Sequence, residues 1–156
     1  MTLVQNFTSI TISFWFTIDT TSNDCLIATR GGGTNGWKIH RNSSSIQRLK
    51  LSTGDASYNS VGTPLGSSTV DWKNACFVSS ASRVVELYIN GVSDGTYNSG
   101  SALSAPGTSD LSLRIGHESA SEYHYGKFSQ LQIYNRTLTA AEVLQNYNAT
   151  RHRFGV

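Results

Sequence analysis

Ile10-Thr11-Ile12-Ser13-Phe14-Trp15-Phe16-Thr17-Ile18 carries the clearest structural signal in the chain. Ile10, Ile12, Phe14, Phe16 and Ile18 fall on one face of an extended backbone, and Thr11, Ser13, Trp15 and Thr17 on the other. A strict period of two predicts a half-buried strand. Outward from it, short apolar runs predict strands over 25–30, 37–41, 46–52, 75–79, 84–90, 111–116 and 127–134, with turn residues between them. Strands at such intervals, without alternating helices, favour a sandwich or barrel over a βαβ fold.

At Ile89-Asn90-Gly91-Val92, Asn-Gly between apolar residues predicts a two-residue hairpin, because both central positions take positive φ. The stretch 93–110, rich in Gly, Ser and Asn, reads as an irregular second arm and a long loop. Gly31-Gly32-Gly33-Thr34-Asn35-Gly36 reads as a hairpin loop; no Lys-Ser/Thr pair or helix follows it, as a phosphate cradle requires. One helix is expected late. Thr139 and Glu142 form a capping box, Leu138 and Val143 a hydrophobic staple, and the apolar face continues through Leu144 and Tyr147.

A length of 156 residues suits one domain over 1–156, here expected to be all-β, a two-sheet antiparallel jelly-roll sandwich with one short C-terminal helix. Only 14% of residues are charged. Ser and Thr make up about a quarter, a composition suited to strands and turns. The net charge of +2 is scattered apart from Arg151, His152 and Arg153, which gives no nucleic-acid footprint. Apolar runs are too short for a membrane span, so no membrane insertion is expected. Met1 to Asn6 shows no secretory pattern. Cys25 and Cys76 form a pair that a disulfide could join; without a secretory pattern, reduced, half-buried thiols are the favoured expectation. Asn-x-Ser/Thr sequons at Asn6, Asn42, Asn135 and Asn148 are expected by chance in such a Ser/Thr-rich chain.

Catalytic chemistry has little to stand on. Glycoside hydrolysis needs two carboxylates about 5–10 Å apart. The nearest acidic pair, Glu118 and Glu122, lies in a turn region with no strand alternation to aim both inward. No Gly-x-Ser-x-Gly elbow is present. His117, Glu118, Glu122 and His124 have no metal-ligand spacing and read as a solvated loop. Asp19, Asn23 and Asp24 lack the Asp-x-Asp spacing that would support calcium. No catalytic residue, metal or cofactor is expected. Sugar binding needs aromatic faces for pyranose rings and polar groups for hydroxyls, presented on loops. Trp37, beside the glycine loop, and Tyr123-His124-Tyr125 are the candidates; the alternative for Trp37 is a place in the core.

Several stretches together resemble the concanavalin A-like and laminin G-like jelly-roll domains. They are Ser13-Phe14-Trp15-Phe16; Trp72 followed by Leu87-Tyr88-Ile89-Asn90-Gly91; Leu113-Arg114-Ile115-Gly116; and Gly126-Lys127-Phe128 leading to Ile133-Tyr134-Asn135-Arg136-Thr137-Leu138-Thr139-Ala140-Ala141-Glu142. The resemblance covers about 10–147 and implies a lectin-like sandwich. Family members that cleave β-glucans carry Glu-x-Asp-x-Glu on one strand, which this chain lacks. Asn146-Tyr147-Asn148-Ala149-Thr150-Arg151-His152-Arg153-Phe154-Gly155 also resembles the ends of such domains in bacteriophage structural proteins. The family's extra leading strand has only Met1 to Thr8 to supply it, for instance as a short strand from Val4 to Phe7. Its loss would leave an open sheet edge that invites a neighbouring chain.

The favoured expectation is a non-enzymatic virion component, assembled in the host cytoplasm. It would serve as a capsid decoration or fibre module, held by copies of itself or by other virion proteins. The alternative is a carbohydrate-binding module for host-surface glycans.

Overall fold

The alternation over 10–18 forms strand β1 (Ile10–Ile18). The computed structural model describes residues 9–19, 24–29, 37–41, 49–53, 57–59, 65, 69–80, 84–98, 112–118 and 122–156. After β1 come β2 (Asp24–Ala28), β3 (Trp37–Arg41), β4 (Leu49–Thr53), β5 (Ser57–Asn59), β6 (Thr69–Ser79), β7 (Val84–Ile89), β8 (Val92–Asn98), β9 (Arg114–Ile115) and β10 (Phe128–Tyr134). Helix α1 (Ala140–Thr150) and a 3-10 turn (Arg151–Phe154) end the chain. The strands make two five-stranded sheets, ordered β10-β1-β6-β7-β8 and β5-β4-β3-β2-β9. Every pairing is antiparallel.

The aliphatic and phenyl face of β1 meets Leu26, Ile27, Trp37, Ile39, Leu49 and Leu51 of the opposite sheet, forming the main core. Phe14 stacks on Phe128 of the neighbouring β10, with ring centroids 5.3 Å apart. Burying side chains of this size contributes about 1.5–3 kcal/mol each.

The expected half-burial of β1 is corrected, because all nine of its residues are buried. The C-terminal segment covers the second face. Leu138 and Val143 pack with Cys76, Val78 and Tyr88 in a smaller core, and Trp15 stacks under Tyr147 and Phe154. The polar members of that face are hydrogen-bonded, as burial demands. Thr11 Oγ1 donates to the Arg136 carbonyl at 2.8 Å and accepts from the Leu138 amide at 3.0 Å, while Trp15 Nε1 donates to Thr150 Oγ1 at 3.3 Å.

Other differences follow from pairing that short-range pattern does not reveal. Strand β6 begins at Thr69, ahead of the expected start at Ala75, and pairs with β1 from that residue. The expected irregular second arm is strand β8, which pairs with β7 along its length and whose register shifts between Leu87 and Tyr88, where Gly95 and Ser93 oppose them. Asn90 and Gly91 take φ of 53° and 77°, as the hairpin requires. The capping box is present: Thr139 Oγ1 accepts from the Glu142 amide at 3.3 Å, and the Glu142 carboxylate accepts from the Thr139 amide at 2.8 Å. Both cysteines are free, and they are fully rather than half buried.

Strand β1 is flanked by β6 on one side and β10 on the other, so it is not itself an edge. The stretch from Val4 to Phe7, the glycine loop 31–36 and the loop 99–110 lie outside the described residues.

Candidate functional site

Between β9 and β10 the described residues 116–118 and 122–124 run antiparallel to each other, as the two arms of a hairpin. The Glu118 amide donates to the Glu122 carbonyl at 3.2 Å and the His124 amide to the Gly116 carbonyl at 2.8 Å, bracketing an antiparallel bridge between His117 and Tyr123. With a side-chain period of two, alternate residues of each arm point to opposite sides. Ile115, Tyr123 and Tyr125 point outward, 48%, 46% and 51% exposed, and the Tyr123 ring lies beside that of His117. Glu118, Glu122 and His124 point inward.

The inward residues meet charged side chains of β2 and β3. Lys38 Nζ is bonded to Glu118 Oε2 and, at 2.6 Å, to Glu122 Oε2. Asp24 divides its carboxylate between Arg41 Nε at 3.3 Å and His124 Nδ1 at 3.0 Å. Buried ions on this scale cost desolvation energy, and they repay it only when each is paired, as here. The thiol of Cys25 lies in the field of both groups. Burial first, then the Glu118 charge, pushes it up to about 12.

Backbone contacts fix the hairpin to its neighbours. Gly116 N donates to Leu26 O at 2.8 Å, Asp19 N to Tyr125 O at 2.8 Å and Thr17 N to Lys127 O at 3.0 Å. Gly126 permits the last contact, since a Cβ there would stand 2.2 Å from the Thr17 carbonyl oxygen.

The proposed sugar contacts therefore separate. Tyr123 and Tyr125 stand together on an outward ledge. His124 between them faces inward with its side chain 3% exposed. Trp37, 1% exposed, packs in the main core and offers no free ring face, which corrects its place among the candidates. The expected solvated loop at 117–124 is also corrected, since its two glutamates and His124 are tied to Lys38 and Asp24. Lys38 and Arg41 went unnoticed, and Asp24 was weighed only for calcium, because the residues that meet them at the site lie far along the chain. The alternation of titratable and phenol side chains in Glu122-Tyr123-His124-Tyr125 was the available signal.

The carboxylates of Glu118 and Glu122 do converge, contrary to the sequence reading. Their meeting point is occupied by the Lys38 ammonium, where a glycosidic bond would have to sit. Asp24, one of the calcium candidates, is buried on Arg41 and His124, whereas Asp19 is exposed and Asn23 lies outside the described residues. Among the described residues, no three His, Cys, Asp or Glu side chains gather to hold a metal ion.

Two antiparallel five-stranded sheets with an exposed aromatic ledge at one rim define a lectin-like sandwich. The chain belongs to the concanavalin A-like lectin/glucanases superfamily, whose laminin G-like family model matches residues 2–144. Among curated proteins, none matches. The heptameric SAP-like pentraxin of Limulus polyphemus is similar in structure, with 18% identity and a TM-score of 0.69 over 90% of this chain and 70% of that one. So is the CBM40 module of the Ruminococcus gnavus IT-sialidase, at 13% identity and a TM-score of 0.67 over 92% of this chain and 83% of that one. Domain 4 of an extracellular arabinanase from Geobacillus stearothermophilus gives 16% identity and a TM-score of 0.66, over 92% and 68%. At these identities the likeness establishes the fold.

Proposed function

We propose that this chain is a non-catalytic carbohydrate-binding module that recognises glycans on the Tyr123/Tyr125 ledge. The observation that carries the reading is the pair of exposed phenol rings two residues apart on an arm whose other face is fixed by ion pairs. Aromatic faces and hydroxyls on a rigid support suit stacking on pyranose rings, with little ordering cost on binding. Proteins of the same fold support it, since the CBM40 module is known bound to sialyllactose and the arabinanase domain in complex with arabinotriose. The Lys38 ammonium between Glu118 and Glu122 supports the absence of hydrolysis.

A glycan array probed with the wild-type chain and with the Tyr123→Ala/Tyr125→Ala double variant tests this reading. Binding that the double variant loses, while its melting temperature is kept, is expected. A blank array, or binding unchanged in the variant, overturns it.

The virion reading has three grounds: a lectin-like fold with no catalytic pair, the short leading segment, and the resemblance of 146–155 to phage protein ends. That segment has a use within the fold, because Tyr147 and Phe154 stack on Trp15. A decoration or fibre role is therefore the weaker of the two readings.

A further inference from the structure

We propose that His124 is the positioning residue of the ledge: its protonated imidazole, donating at both ring nitrogens, holds down the hairpin arm that presents Tyr123 and Tyr125. The inference rests on the glycan reading only for its consequence in binding. Its physical content concerns the hairpin.

Both nitrogens of His124 face oxygens that accept. Nδ1 is 3.0 Å from Asp24 Oδ2 and Nε2 is 3.4 Å from the Lys127 carbonyl. A backbone carbonyl has no proton to give, so a neutral ring bonded to Asp24 through Nδ1 sets a lone pair against the Lys127 oxygen. The imidazolium satisfies both contacts. Gly126 makes the approach possible, since a Cβ there would come within 3.0 Å of His124 Nε2.

The surrounding charges favour the same state. From β2 come Asp24 and the un-ionised Cys25 thiol; from β3, Lys38 and Arg41; from the hairpin, Glu118 and Glu122. Asp24 divides its carboxylate between Arg41 and His124, while Glu118 and Glu122 share Lys38. Arg114 is half-buried on β9 opposite Ala28, His40 on β3 is half-buried opposite Cys25, and Lys127 and Asp19 are exposed. Without the His124 ring, the arm from Glu122 to Lys127 keeps its backbone bonds to Gly116, Asp19 and Thr17 but loses its buried clamp.

The test is nitrogen NMR of the His124 ring in the wild type, together with the ring signals of Tyr123 and Tyr125 in the wild type and in His124→Gln. Protons on both ring nitrogens of His124 are expected, because both face acceptors. His124→Gln is expected to shift and broaden the tyrosine ring signals while the fold is kept. A single ring proton in the wild type, or tyrosine signals unchanged in His124→Gln, overturns the proposal. A blank glycan array with these results present strikes the glycan reading alone. Glycan binding that is lost with the tyrosines yet unchanged in His124→Gln strikes the positioning role alone.

Discussion

The indole of Trp15 lies against the ring of Phe154, with centroids 4.1 Å apart and planes 14° from parallel. Trp15 sits mid-strand in β1 and Phe154 in the last turn of the chain, so this contact closes the outer face of a sheet that would otherwise be wet. Trp72 meets the same ring at 5.0 Å, and Tyr147 stacks on the other part of the indole. Phe154→Ala is expected to lower stability by at least about 1 kcal/mol, since aromatic pairs contribute about 0.5–1.5 kcal/mol beyond area burial. Urea denaturation followed by tryptophan fluorescence measures it; an unchanged midpoint would show the C-terminal turn to be incidental.

Trp37 and the ledge tyrosines should behave in opposite ways. Trp37→Ala leaves a large void in the main core and is expected to cost about 3–5 kcal/mol. Tyr123→Ala and Tyr125→Ala are expected to leave thermal stability nearly unchanged, because surface substitutions of this kind fall within about 0.5 kcal/mol. Differential scanning fluorimetry on the three variants separates the two classes.

Gly126 ties the ledge to β1. Gly126→Ala would push a methyl group into the Thr17 carbonyl and is expected to destabilise the chain by about 1–3 kcal/mol, as overpacking does. It should also disturb the Tyr123 and Tyr125 ring environments, which NMR chemical shifts report. Stability lost without such a change would separate the two effects.

Acid should loosen the C-terminal helix. The Arg136 guanidinium, with help from the Thr139 amide, holds the Glu142 carboxyl down from its usual 4.5 to about 2. The folded value is the lower one, so this contribution is present above about pH 4.5 and fades as the pH falls toward about 2. Helical ellipticity followed through that window should fall in the wild type and respond less in Glu142→Gln. Added salt should weaken the effect, because the pair is largely exposed.

The thiols predict the opposite limit. Burial pushes both Cys25 and Cys76 from the usual 9.0 to about 12. These raised values stabilise the fold fully below about pH 9 and progressively less up to about pH 12. Native protein at about pH 8 should resist alkylation, because the thiolate is the nucleophile, and both thiols should react in denaturant. Rapid alkylation of the folded chain would contradict their burial.

How far the fold was legible depends on the range of the forces concerned. The alternation over 10–18, the Asn90-Gly91 turn and the Thr139/Glu142 box each depend on residues within one turn or one strand. The second arm of that hairpin was legible, but the extent of β8 was not, because its glycine and polar residues weaken the local signal and pairing with β7 supplies the missing preference. At the site, the tyrosines were visible as aromatics in a polar run. Trp37 could not be told from them, since a tryptophan at a strand start carries no mark of the face it will join.

By itself, then, the sequence determined the all-β class, strand β1, the tight hairpin and the capped helix, because backbone sterics and side-chain periodicity act over a few residues. Only the tertiary structure decided that both faces of β1 are buried, with Trp15 and Thr150 hydrogen-bonded across 135 positions. It alone paired Lys38 with Glu118 across 80 positions and Asp24 with His124 across 100. Contacts at such separations are selected by the packing of the two sheets and of the hairpin between β9 and β10. At that level His124 turns inward and leaves Tyr123 and Tyr125 facing solvent.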